Sequence, residues 1–105
     1  MMRLTAVVAL FPDLPETEVL GWVDRGWVRA RPSGEEWEFQ DIDVARVRLI
    51  RDLRRELAVQ EETMPLVLSL LDQVYALRGQ MRAVARAVEA QDEAVRTAIL
   101  AAMRG

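Results

Sequence analysis

Apolar residues recur at alternating steps of four and three through roughly the last forty residues, and this spacing limits what the chain can become. From Leu70 the steps land on Val74, Leu77, Met81, Val84, Val88, Gln91, Val95, Ala98 and Ala102, the a/d spacing of a coiled-coil seam. Only Gln91 interrupts it. Thr63 is placed as the N-cap and Pro65 lies in the first turn, where a missing N–H costs nothing. The pattern therefore predicts one uninterrupted helix from Met64 to Arg104. At about 1.5 Å per residue it would run roughly 60 Å, longer than any body the remaining residues can build. One chain cannot cover that stripe, so a homodimer is expected, with Leu70, Val74, Leu77, Met81, Val84 and Val88 in its interface; a plain bundle core is the alternative. Gly79, on the outer f position, weakens the helix by about 1 kcal/mol relative to alanine.

The chain has 105 residues, 51% of them hydrophobic, enough for one small domain and an appendage. It contains no cysteine and no histidine. That excludes disulfides, thiol nucleophiles, histidine general bases, and the zinc sites and triads built from them. No enzymatic activity, cofactor or metal is expected. Paired acids such as Asp41 with Asp43 could hold a cation, but no convergent polar set surrounds them in the sequence and helix capping accounts for them better. No leader of charged, apolar and small residues opens the chain, and its apolar runs are too short to span a bilayer, so a cytoplasmic protein with no membrane partner is expected. All 14 basic residues are arginine and the formal net charge is −3, which weighs against a dedicated nucleic-acid binder.

Ahead of the seam, the order of signals is that of a small winged head, residues 1–60, followed by the dimerisation helix, residues 61–105. Residues 3 to 11, RLTAVVALF, predict a short helix capped by Thr5 and stopped by Pro12-Asp13-Leu14-Pro15. A second helix should run from Pro15, at its first position, to Arg25, with Gly26 supplying the left-handed residue that ends it. Two short helices joined by a tight turn make a helix-turn-helix. Extended pieces at about 28–31 and 36–39 flank Pro32-Ser33-Gly34 and predict a hairpin. Asp41 then caps a third helix whose Ile42, Ala45, Leu49, Ile50, Leu53 and Leu57 are expected to face inward, with Arg46, Arg48, Arg51, Arg54 and Arg55 on the other side. There is no internal repeat and no linker rich in glycine or serine.

The order helix, turn, helix, wing, helix, long helix resembles a MerR-type winged helix, so the expected fold class is mainly all-α with a small β-hairpin wing. A closer resemblance is carried by GWVRARPSGEEWEFQDIDVARVRLIRDLRRELAV and, after it, VLSLLDQVYALRGQMRAV. The Gly26-Trp27-Val28 wing entry, the Trp37/Phe39 return strand, the Arg48-Leu49, Leu53-Arg54 and Leu57 positions, and the Leu70-Leu71-Asp72 to Leu77 opening of the last helix are similar to the chaperone-modulator family CbpM over about residues 14 to 88. A shortened first helix and the tail beyond Val88 depart from that family. The resemblance implies a protein that binds the J-domain of a CbpA/DnaJ-like co-chaperone and blocks its engagement with DnaK. It implies occlusion, with no bond made or broken.

A MerR-like fold alone also fits a DNA-binding transcriptional regulator, and charge weighs between the two. Between Phe11 and Asp24 stand Asp13, Glu16, Glu18 and Asp24 with no arginine, and the wing adds Glu35, Glu36 and Glu38. Such a surface repels phosphate and lacks the Arg, Asn and Gln side chains that read bases. The same acids suit a basic protein partner. The candidate docks are Glu16 and Asp24 with Trp22 as an exposed apolar anchor, or Glu61, Glu62 and Asp72 at the start of the last helix. The plain alternatives are that these acids only solubilise, that Trp22 and Trp27 are core, and that Glu61 and Glu62 complement a helix dipole. The arginine-rich side of the third helix is the one remaining place for nucleic acid, although Asp43, Asp52 and Glu56 stand among those arginines and can pair with them. Gln91 at a d position is a candidate for setting the register of the coil.

Overall fold

Five helices and three short strands account for the chain, which a computed structural model describes from Met1 to Gly105. In order they are β1 (Met2–Arg3), α1 (Leu4–Ala9), α2 (Glu16–Asp24), β2 (Arg31–Ser33), β3 (Glu36–Phe39), α3 (Asp41–Arg55), α4 (Met64–Glu89) and α5 (Glu93–Arg104). They divide into two compact units, Met1–Leu66 and Val67–Gly105. The mainly helical class with a small antiparallel sheet is the expected one.

In the first unit, local residue choices set most of the element ends. Arg3, with φ −87° and ψ 163°, precedes α1 in extended conformation, so Thr5 lies inside the helix and does not cap it. The extended residues have a use: Met2 pairs with Phe39 and Arg3 with Glu38, adding a third strand that periodicity did not predict. Pro15 sits at the N-cap of α2, one residue ahead of its predicted place. The end of α2 is a Schellman turn. Gly26 takes φ +77°, its N–H donates to the Val23 carbonyl, and the Trp27 N–H donates to the Trp22 carbonyl at 2.9 Å.

The wing strand β2 begins three residues later than predicted, because Trp27 and Val28 turn into the core. β2 and β3 pair antiparallel in the register Arg31 to Glu38, Pro32 to Trp37 and Ser33 to Glu36. Gly34, at φ +64°, and Glu35 close the hairpin. The sheet order is β1-β3-β2, which leaves Pro32 on an edge, where its missing donor is tolerated.

Helix α3 starts from Gln40 as N-cap and not from Asp41; the Gln40 N–H donates to Asp43 Oδ2 at 2.9 Å. That bond holds the buried Asp43 against the helix start. Val47, Ile50 and Leu53 line the inward stripe, whereas Ile42 (74% exposed), Ala45 and Leu57 (69% exposed), all three expected inside, point to water. The core of this unit holds Val7, Val19, Trp22, Val28, Phe39, Val47, Ile50 and Met64, all nearly inaccessible. Each large side chain among them contributes about 1.5–3 kcal/mol on burial.

The second unit corrects the prediction of a single helix from Met64 to Arg104. α4 ends at Glu89, and α5 starts afresh with Asp92 as its N-cap, Oδ1 accepting from the Val95 N–H at 2.9 Å. Aspartate competes for backbone donors and so favours a new helix start over continuation of the old one. Gln91 falls in the break, its Nε2 donating to the Ala87 carbonyl at 3.3 Å. It therefore has no d position in a continuous coil. No helix is long and apolar enough to cross a membrane.

Candidate functional site

The surface of the helix-turn-helix carries the candidate groups, and α2 sets their spacing. Glu16 stands in its first turn and Asp24 is its last residue, so about 12 Å of helix axis separates them. Both are exposed. Trp22 is not exposed. Its side chain is only 2% accessible and belongs to the core, which removes it as an apolar anchor; Trp27, five residues on, is buried too. The helical spacing that puts Val19 inside also puts Trp22 there, three residues on.

At the far end of α2 the tertiary structure joins acids that sequence had placed in separate patches. Arg25 Nη1 donates to Glu61 Oε1 at 2.7 Å, and the guanidinium lies 5.1 Å from the centroid of the Trp27 ring. The Glu61 bond raises the Arg25 pKa above its ordinary value, with the charge of Asp24 adding to it. The same bond, helped by the Arg25 charge, holds Glu61 below the usual carboxylate range. Asp24 and Glu61 thus flank one arginine. Glu62 is exposed next to them in sequence, and Asp72 is an exposed residue of α4 in the second unit.

Glu16 belongs to a different feature, a cleft of about 290 Å³ lined by Arg3, Leu4, Thr5, Glu16, Leu20, Glu35, Glu36 and Trp37. Arg3 pairs with Glu36 at this cleft. Trp37 is half-buried. Alternation along β3 puts Trp37 on the same face as buried Phe39 but nearer the hairpin end, the one sign in the sequence that an aromatic ring would stay open to a ligand. The third strand, which brings Arg3 and Leu4 beside Trp37, had no such sign.

The arginines of α3 are largely committed. Arg51 Nε lies 2.8 Å from Asp13 Oδ1, Arg55 Nε 3.0 Å from Asp13 Oδ2, and Arg55 Nη2 2.8 Å from Glu18 Oε2. Arg46 Nε donates to the Trp27 carbonyl at 2.9 Å, Arg54 to the Val59 carbonyl at 3.1 Å, and Arg48 lies 5.5 Å from the Phe11 ring centroid. Of the intrahelical pairs expected, Arg51 with Asp52 at 3.2 Å is present. Burial pushes the Asp13 carboxyl up, but the Arg51 hydrogen bond, a backbone hydrogen bond and the charges of Arg51 and Arg55 outweigh it and hold the group low. The Glu18 hydrogen bond raises Arg55, against a smaller effect of burial.

On α4, Leu70, Val74, Leu77, Met81 and Val84 are exposed and Val88 is half-buried. α5 buries none of its residues. No group of three or more acidic side chains is arranged to hold a metal ion.

The family model described as MerR HTH family regulatory protein matches residues 7–86, from α1 to near the end of α4. No curated protein matches the chain, and no solved structure does. The match spans the helix-turn-helix, the wing, α3 and most of α4, in the order in which the structure presents them. The chain belongs to the MerR helix-turn-helix family of regulatory proteins.

Proposed function

We propose that this chain is a cytoplasmic, non-enzymatic modulator that binds the J-domain of a CbpA/DnaJ-like co-chaperone and hinders its engagement with DnaK, as the resemblance to CbpM implies. One observation carries this reading: α2, the helix of a helix-turn-helix that would face a duplex, exposes Glu16 and Asp24, while the next cation, Arg25, is held by Glu61. Phosphate binding needs cations on that face, and a basic protein surface needs the acids found there. The arginines of α3 that remained as a nucleic-acid candidate support this reading, since Arg51 and Arg55 are paired with Asp13 and Glu18.

The exposed Leu70, Val74, Leu77, Met81 and Val84, with half-buried Val88, support a homodimer formed through α4. An apolar stripe of that length left in water is a liability that a second copy removes.

The competing reading is a DNA-binding transcriptional regulator, favoured by exposed Arg29 and Arg31 at the entry to the wing. Titration calorimetry with an isolated J-domain, and in parallel with duplex DNA at two salt concentrations, separates the two. The modulator binds the J-domain. Charge reversal of Glu16 with Asp24, or of Glu61 with Asp72, weakens that binding at least tenfold, about 1.4 kcal/mol. Unchanged affinity in both double variants removes both docks, and tight, salt-sensitive DNA binding without J-domain binding establishes the regulator.

A further inference from the structure

We propose that the cleft between α1, α2 and the wing receives one arginine or lysine side chain from a basic segment of the partner protein. This deepens the J-domain reading and rests on it for the partner's identity, but the cleft chemistry stands on its own observations. A volume of about 290 Å³ falls just short of the range of small-molecule pockets and suits a single long side chain. Leu4 and Leu20 give the cleft apolar walls, and half-buried Trp37 gives it an aromatic face.

Three carboxylates, those of Glu16, Glu35 and Glu36, share the cleft with a single cation, Arg3. Arg3 is already paired with Glu36, which leaves Glu16 and Glu35 with no cation of their own. A bare metal ion does not fit, because the acids are not grouped to ligate one. A polyanion does not fit the charge. What matches both the walls and the rim is a cation on an apolar stem: methylenes against the leucines, charge over the indole, head group at the carboxylates. The pair of Arg3 with Glu36 is the same chemistry supplied from within the chain.

The test uses the full chain labelled with nitrogen-15 and the blocked tetrapeptide acetyl-Leu-Arg-Arg-Leu-amide, with its citrulline counterpart as the neutral match. Trp37 is the reporter, since Trp22 and Trp27 are buried. The arginine peptide is expected to shift the Trp37 indole N–H and the Leu4 and Leu20 amides, leaving the Trp22 and Trp27 indoles in place. The double variant Glu16→Gln with Glu35→Gln, confirmed as folded by its melting curve, is expected to bind it at least tenfold more weakly. Equal binding of the citrulline peptide, no shift at Trp37, or indifference to the double variant overturns the proposal. The isolated J-domain is the second probe. If it binds and neither moves Trp37 nor responds to the double variant, the cleft assignment falls and the modulator reading survives. If the peptide occupies the cleft and the J-domain does not bind, the cleft stands and the modulator reading falls.

Discussion

Arg51 donates from Nε to both carboxylate oxygens of Asp13, at 2.8 and 2.9 Å, tying the middle of α3 to the turn between α1 and α2. Arg55 reinforces the link through the Asp13 carbonyl and Glu18. Charge-assisted bonds of this kind give directional specificity to packing that apolar contacts alone leave loose. They also reassign residues: Asp13 and Glu18, which looked like surface acids, position the helix-turn-helix, and the outward negative charge of α2 comes from Glu16 and Asp24.

The first prediction concerns acid. Asp13 and Glu61 are both held below their ordinary values of 3.8 and 4.5. A carboxylate depressed by folding contributes stability that is fully present above its unfolded pKa and is lost as pH falls through the folded one. Their stabilisation should therefore be full and independent of pH near neutrality and decline below about pH 4. Asp13→Asn should lower stability at pH 7 and flatten that decline, as read by urea unfolding at a series of pH values. An unchanged slope in the variant would remove Asp13 as a cause.

Backbone strain gives the second. Ala58, in the turn between α3 and α4, has φ +53°. That conformation costs an L-residue about 1–2 kcal/mol, and glycine costs about 0.5–1 kcal/mol more than alanine in chain entropy. Ala58→Gly should therefore stabilise the protein by about 0.5–1 kcal/mol in thermal or urea unfolding. Gly26→Ala should do the reverse by about 1 kcal/mol, through the backbone alone, because a Cβ there meets nothing within 4 Å. Equal stability of Ala58→Gly and the parent would show that the turn adopts another conformation in solution.

Asp92 is the third. Its carboxylate makes the break between α4 and α5 favourable, a capping effect of about 0.5–2 kcal/mol. With Asp92→Ala the segment 90–92 loses that cap, and the regained helical hydrogen bonds should fuse the two helices. Carbon-13 chemical shifts of these residues should become helical; wild-type shifts in the variant would place the cause of the break elsewhere.

The fourth prediction tests the proposed dimer. Sedimentation equilibrium should give twice the 12.0 kDa chain mass, and Leu77→Asp should weaken association about a hundredfold, roughly 3 kcal/mol, by burying a charge in an apolar seam. A monomeric parent chain at micromolar concentration would dispose of the seam.

Short-range signals were legible where one residue's chemistry dominates. Gly26 was expected in the left-handed region and is there, and Pro12 to Pro15 ends the first helix as expected. The misses come from choices between near-equal local options. Asp41 and Gln40 could each open α3, and Asp43 settled it by accepting from Gln40. Gln91 was visible as the flaw in the seam, but the seven-residue rhythm continues past it, so the periodicity could not show that Asp92 starts a new helix.

By itself, the amino-acid sequence determined the mainly helical class, the wing, the apolar stripe of α4 and the exclusion of cysteine and histidine chemistry, because these follow from spacing and residue type. Tertiary structure alone decided which charges meet. Arg25 finds Glu61 36 residues away, Arg51 finds Asp13 38 residues away, and Arg3 finds Glu36 33 residues away. Ion pairs depend on through-space distance, which the chain's own order does not encode. The division of its acids between holding the head together and facing solvent is therefore a property of the fold.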